Sequence, residues 1–431
     1  MRILVLGAYG LIGGYVCARL LAEDHAVIGV GRDIAAARRR FPAVDWRAAD
    51  LRIATVADWA AMLQGVDAVV NCAGALQDSP RDNLKAVHID GVARLVEACG
   101  KAGVTRFVHV SAAGVGSGRP TVFNTTKQAA EALLRASALD WTILRPGLVL
   151  APAAYGGTAL LRGLAGFPLV VPIAYPDSLI HTTSAEDVAI AVQRAVALGA
   201  RRRISVDLVH AKAVTLAELV TTLRGWLGLP PARVVAVPPI LARMTAAAVD
   251  ALAWLGWRSP MRTASLEQLR AGVPGDADQA QRLLGFAPRS LRAMLDGWPS
   301  GVQERWFSKS YFLKPTILFT LFGFWFLSGL IGLTAGFDQA VSVLTTAGVG
   351  LGPAKAAVIG GGVADIALAL LLAFRRTAGA ALLGMLALTA GYLVGGALVR
   401  PDLWLDPLGP FLKSVPAAVL ALAALALLDE R

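Results

Sequence analysis

Apolar positions change rhythm along the chain. Residues 2–6 (RILVL) form a continuous apolar run, followed by the glycine-rich stretch Gly7-Ala8-Tyr9-Gly10-Leu11-Ile12-Gly13 and the amphipathic segment YVCARLLAEDH. Strand-like runs then recur as HAVIGVGRD, DAVVNCAG (67–74), RFVHVSAAG (106–114) and WTILRPGLV (141–149). Helix-period stretches lie between them, notably NLKAVHIDGVARLVEACGKAG and TTKQAAEALLRASA. Buried strands alternating with amphipathic helices predict an α/β fold with a doubly wound parallel sheet. Residues 150–300 are less regular and are expected to form a small α/β substrate lobe with helices over the crevice; the Ala-rich helix over Ile240–Trp257, with Trp254 and Trp257 near its end, reads as core packing or as a face resting on a bilayer.

After residue 314 the alternation stops. Four apolar runs follow: Pro315–Phe337, Ala356–Phe374, Thr377–Val399, and Leu408–Leu428 with Lys413 near its start. About 20 apolar residues cross a hydrocarbon core, so these runs predict an all-α four-helix transmembrane bundle over 315–431, with Lys413 snorkelling to the interface. Asp338–Gly352 is broken by Gly and Pro and is expected to be a short interfacial or re-entrant helix. Residues 301–314, rich in aromatic and basic side chains, read as a membrane-surface connector.

Composition sharpens this division. Of 431 residues, 56% are hydrophobic and 16% charged, against about a quarter charged in ordinary soluble domains. The net charge of +11 splits into +9 up to residue 308 and +2 beyond it. Basic residues are scattered except at Arg38–Arg40 and Arg201–Arg203, which argues against nucleic acid and for anionic lipid as the partner. Cys17, Cys72 and Cys99 have no CxxC spacing, and no histidine has metal-ligand spacing. Neither a disulfide framework nor a metal site is expected. No signal peptide is expected before MRILVLG. Lys309 and Lys314 before the first run, and Arg375 and Arg376 between the second and third, place both termini on the cytoplasmic side of a bacterial-type inner membrane.

The chemistry starts at the glycine turn. Strand, glycine turn and helix in this order suit a dinucleotide: Gly7 for the tight turn, Gly10 for close approach of the pyrophosphate, Gly13 for helix–strand packing. Leu11 and Ile12 carry amides of the helix start, where a phosphate is stabilised. At the end of the second strand Arg32 precedes Asp33, which favours NADP, with NAD as the alternative. Asp50, Leu51, Cys72, Ala73, Gly74, Ser111 and Pro146 all fall at strand ends, where such sheets bind ligands.

The ordered set GxxGxxG, Asp50, Ser111, Lys127, ILRPG and the later HTTSAEDVAIAV resembles the extended and atypical short-chain dehydrogenase/reductases over residues 1–300. Within that superfamily the pattern is similar to the epimerase/dehydratase-like proteins and to the dehydrogenase-like accessory subunit of respiratory complex I. The resemblance implies a Tyr-x-x-x-Lys pair, with the tyrosine as proton donor and the lysine on the nicotinamide ribose. Lys127 matches the lysine, and Ser111 the carbonyl-polarising serine. Phe123 stands where the tyrosine belongs and has no exchangeable proton. Tyr155, beyond the RPG strand end, is the replacement candidate, with Thr121 or water as alternatives. Residues 312–431 resemble the DoxX-like membrane family, which implies a partner in membrane redox complexes. Asp365, mid-span in GGGVADIALALL, reads either as a proton or ligand site or as a helix-packing hydrogen bond. Three functions are compatible with these residues: a tethered oxidoreductase acting on a lipophilic or quinone-type substrate, a non-catalytic nucleotide-binding module of a membrane redox complex, and a nucleotide-sugar epimerase or dehydratase.

Overall fold

Ile3, Leu4, Val5 and Leu6 have almost no solvent contact, as a strand covered on both faces of a parallel sheet requires. The computed structural model describes residues 1–78, 83–116, 120–407 and 409–428. Among these, seven strands form one parallel sheet: β1 (Arg2–Leu6), β2 (Ala26–Gly31), β3 (Asp45–Ala48), β4 (Ala68–Asn71), β5 (Arg106–Val110), β6 (Asp140–Pro146) and β7 (Ile204–Leu208). Their spatial order is β7-β6-β5-β4-β1-β2-β3. The chain moves outward from β1 to β3 and then returns to β4 on the other side of β1. This reversal opens a crevice at the carboxyl ends of β1 and β4.

Helix α1 (Leu11–Ala22) covers one face through Val16, Cys17 and Leu20. Gly91–Ala102 and α2 (Val122–Ala136) bury Leu95, Cys99 and Leu134 against the other face. The segment expected as a substrate lobe divides between two cores. Helix α4 (Ala185–Val196), whose Val188, Val192 and Val196 recur at helical spacing, joins the face covered by α1. β7 extends the main sheet beside β6, with Ile204 opposite Thr142. The remainder, with α3 (Gly156–Ala165) and short two-stranded ladders, closes a separate core around Leu161, Val171, Leu219 and Met294.

The chain forms two compact units, Met1–Asp250 with Pro260–Ser308, and Ala251–Ser259 with Lys309–Arg431. Helix α5 (Pro239–Trp254) runs from the first into the second. Part of the predicted connector belongs to the first unit: Ser308 is buried, and a Cβ at Gly166 would meet its backbone carbonyl carbon at 2.7 Å.

In the second unit α6 (Leu313–Leu333), α8 (Leu351–Ala373) and α9 (Ala378–Val399) contain 21, 23 and 22 residues. Among the described residues these three are long and apolar enough to cross a membrane. The fourth helix, α10 (Pro410–Ala426), has 17 residues, a rise of about 25 Å at 1.5 Å per residue and the lower end of spanning lengths. Leu408, where the fourth apolar run begins, lies outside the described residues. The short helix expected after the first span is α7 (Phe337–Thr346). Leu321, Trp325, Leu382 and Met385 fill the interior of this unit. Asp365 is buried there, accepting from Ser328 Oγ at 3.1 Å and Tyr392 Oη at 2.9 Å. Two hydroxyl donors therefore satisfy the mid-span carboxylate within the bundle.

Candidate cofactor and active site

Gly7 leaves β1 with φ +67°, a conformation that costs a side-chain-bearing residue free energy. A Cβ there would also lie 2.9 Å from the Ala73 backbone nitrogen, so the loops after β1 and β4 touch at the crevice. Gly13 is equally constrained, since its Cβ would sit 2.8 Å from Ala8 Cα. Gly10 caps α1 with no side-chain hydrogen bond, and no acidic residue occupies the first turn. The amides of Leu11, Ile12 and Gly13 begin the helix, where backbone N–H groups and the helix dipole favour a phosphate. A glycine-walled cradle ending on an uncapped helix fits the pyrophosphate of a dinucleotide.

The Tyr9 ring covers Gly31 at the end of β2, 6.3 Å from the Trp46 ring, and its hydroxyl accepts from the Arg32 amide at 3.3 Å. Asp33 turns back on its own chain and accepts from Ala35 N at 3.3 Å. Asp50 is engaged by Arg52, whose backbone N (3.0 Å), Nε (3.0 Å) and Nη2 (2.6 Å) all donate to it. Those bonds hold its carboxyl below the usual range. Leu51 is buried, and its carbonyl accepts from Arg94 at 3.0 Å.

Beyond β4, Asn71 Oδ1 accepts from the Ala73 amide at 3.1 Å and shapes the Cys72-Ala73-Gly74 loop. Burial pushes the Cys72 thiol up, away from thiolate chemistry. His88 joins this loop to α2. Its Nε2 accepts from Ala75 N at 3.2 Å, and its Nδ1 lies 2.9 Å from Thr126 Oγ1. Because Thr126 Oγ1 already donates to the Phe123 carbonyl, the imidazole proton is assigned to Nδ1. Burial, and then the charge of Lys127, hold His88 neutral. The Phe123 ring meets His88 edge-on, with centroids 5.9 Å apart. Lys127 is buried and donates from Nζ to the Val110 carbonyl at 2.9 Å. Desolvation pushes its ammonium down to about 8, against opposing effects of Cys72 and Glu131. A Cβ at Gly74 would lie 3.3 Å from Nζ and 3.5 Å from His88 Nε2. Gly74, His88, Phe123 and Lys127 therefore form one cluster at the crevice.

Ser111 donates from Oγ to Glu131 at 2.6 Å, so the proton expected to polarise a carbonyl is engaged within the protein. Glu131 has no solvent contact and also holds Arg145 at 2.5 Å and Arg135 at 2.8 Å. Pro146 ends β6. Tyr155 is half-exposed at the start of α3, and among the described residues no hydrogen bond joins its hydroxyl to Ser111 or Lys127. No group of three His, Cys, Asp or Glu side chains suited to a metal occurs among the described residues. The sequence reading missed Tyr9, His88 and Glu131. Glu131 carries a legible signal, because one turn after Lys127 a second charged residue stands on the core-facing side of α2.

Residues 7–165 match the NAD(P)H-binding family, and residues 322–422 match the DoxX-like family. The chain is an NAD(P)H-binding Rossmann protein fused to a DoxX-like membrane domain. An uncharacterized protein of Mycobacterium tuberculosis is 29% identical over 188 residues, 43% of this fusion protein but 19% of the relative's length. A UPF0659 protein of Saccharomyces cerevisiae is 32% identical over 177 residues, covering 38% of this chain and 75% of its own. Sterol demethylase protein B of Methylococcus capsulatus is 26% identical over 332 residues, 71% of this chain and 99% of its own. Among solved structures, the NADPH-dependent quinone oxidoreductase of Escherichia coli shares the fold with TM-score 0.53 at 21% identity, covering 68% of this chain and 98% of its own. The UDP-glucuronic acid 4-epimerase of Bacillus cereus, solved with its substrate and NAD, gives TM-score 0.53 at 17% identity, covering 72% and 100%.

Proposed function

We propose that the protein is a membrane-tethered NADP(H)-dependent oxidoreductase whose substrate is lipophilic, of the quinone type, and reached from the bilayer. The nucleotide-binding unit and the C-terminus lie on the cytoplasmic side in this reading. The observation that carries it is Phe123, packed on His88 one turn before the buried Lys127, in a chain that also holds long apolar helices. When bound, the dinucleotide supplies a hydride. Reduction of an ordinary carbonyl would leave a strongly basic alkoxide, which needs a positioned acid such as tyrosine. A quinone yields instead a phenolate-type oxygen, whose conjugate acid resembles tyrosine at about 10. The Lys127 ammonium, at about 8, gives up its proton to such an oxygen downhill. The likeness to Sterol demethylase protein B over 99% of that protein's length supports a lipid-like substrate. At the end of β2 Asp33 accepts from the Ala35 amide of its own chain and Arg32 acts electrostatically on Asp50, so a cation stands near this strand end, which supports NADP over NAD.

Proton delivery from Lys127 fixes the sign of the pH dependence. Turnover should fall as pH rises through about 8, because the ammonium that donates is lost there. Lys127→Arg should remove that inflection, since a guanidinium stays charged. A pH–rate profile of quinone reduction in both forms checks this; an unchanged inflection in the variant would assign it elsewhere. Phe123→Tyr should alter quinone turnover by no more than about threefold, since no tyrosine is required, while raising reduction of aliphatic lipid ketones by roughly tenfold or more. Steady-state assays on the two substrate classes separate these outcomes.

A second reading is a non-catalytic NADP(H)-binding module that assembles or regulates a membrane redox complex. The engagement of Ser111 with Glu131 favours it. Nucleotide binding without oxidation by any member of a quinone and lipid-ketone panel is its expected result.

A further inference from the structure

Helix α5 carries two apolar faces. Ala242, Ala246, Val249 and Ala253 share the inner side, where Ala246 and Ala253 are buried. Ile240, Met244 and Trp254 follow one another around the opposite side, with Leu241 and Leu252 flanking them at helical spacing. All five are exposed, Met244 at 63% and Trp254 at 83%. The only charges on the helix, Arg243 and Asp250, lie together at one border of this outer side. An arc of large apolar side chains without a charge is a surface that something must cover.

The end of the helix indicates what covers it. Residues 251–259 belong to the second unit. There Trp257 Nε1 donates to the carbonyl of Ala373, the last residue of α8, at 2.7 Å. Arg375 N donates to the Leu255 carbonyl at 3.0 Å, and the Arg375 guanidinium lies 5.8 Å from the Trp257 ring centre. The C-terminal end of α5 is thus fixed at the mouth of a membrane-spanning helix. Arg258 and Arg376, both exposed, supply cations at the same level, and tryptophans suit that boundary.

We propose that α5 is an in-plane membrane helix whose outer face, Ile240, Leu241, Met244, Leu252 and Trp254, is immersed in the acyl–headgroup boundary of the bilayer. The inference rests on the bilayer-spanning reading of the second unit. Such a helix lies parallel to the surface, held by apolar burial and by attraction of its basic neighbours to anionic lipid.

The test uses the full chain in vesicles of phosphatidylethanolamine and phosphatidylglycerol. Nitroxide labels are placed singly at Met244→Cys and Leu241→Cys, with Phe319→Cys in α6 as the lipid reference and Arg270→Cys as the water reference. Collision with oxygen, which dissolves in lipid, is compared with collision with a charged-shell nickel chelate, which stays in water. The oxygen-to-nickel ratio at Met244 and Leu241 is expected to exceed that at Arg270 severalfold and to approach that at Phe319. A water-like ratio at both α5 positions, or protection from both reagents through a protein contact, would overturn the proposal while Phe319 still reports lipid. A water-like ratio at Phe319 would overturn the bilayer reading of the second unit, and the proposal with it.

Discussion

Gly10→Val is expected to weaken NADPH binding by at least a hundredfold, about 2.7 kcal/mol, in a protein that still folds. The residue has φ −70° and ψ 175°, which valine adopts without strain. Its Cβ would stand 3.1 Å from the Gly7 carbonyl oxygen, which must give by a few tenths of an ångström. Two further methyl carbons would then crowd the start of α1, where the amides of Leu11, Ile12 and Gly13 would meet the pyrophosphate in the proposed binding mode. Gly13→Ala is a different experiment. Its Cβ would press on the Ala8 backbone at 2.8 Å, so loss of binding there would accompany loss of the β1–α1 packing. Fluorescence titration with NADPH, paired with circular dichroism, distinguishes the two. Tight binding in a folded Gly10→Val protein would place the pyrophosphate elsewhere.

Glu131→Gln is expected to produce the largest loss of stability, about 3 kcal/mol, from breaking one partner of a buried ionic cluster. Glu131 has no solvent contact. Its oxygens accept from Ser111 Oγ at 2.6 Å, Arg145 Nε at 2.8 Å and Arg135 Nη2 at 2.8 Å. An amide would offer its NH2 to some of these donors and leave Arg145 with Asp207 at 3.6 Å. Arg135→Gln is the contrast: that side chain is 40% exposed, and its pair is worth no more than about 0.5–1 kcal/mol. Thermal unfolding of the detergent-solubilised chain should show a drop of several degrees for Glu131→Gln and little change for Arg135→Gln. Equal shifts in the two variants would mean that the cluster is not coupled as its geometry indicates.

Much of this structure is legible in the order of residues alone. The apolar run at residues 2–6 and the glycine spacing after it specify β1, the turn and α1, because a buried parallel strand and a phosphate-binding helix start each have a local signature. The long apolar runs mark α6, α8 and α9 for the same reason. What escaped was non-local. Residues 204–208 gave no sign that they would add a seventh strand beside β6, since strand partners are chosen across the fold. In the sequence His88 is one more residue of an amphipathic helix, and only the fold brings its imidazole between Ala75 and Thr126. Ser111 matched the expected serine, yet the engagement of its proton depends on Glu131, twenty positions away. Single residues name candidate chemistry, and their partners decide which hydrogen bonds remain open.

The most direct test places the full chain in lipid nanodiscs, adds NADPH or NADH, and follows absorbance of the reduced nicotinamide as quinones of increasing tail length are supplied. The expected result is tighter binding of NADPH than NADH, and oxidation that depends on the quinone and disappears in Gly10→Val. Failure of both nucleotides to bind, or binding with no oxidation across the quinone panel, would contradict a membrane-tethered quinone-type oxidoreductase.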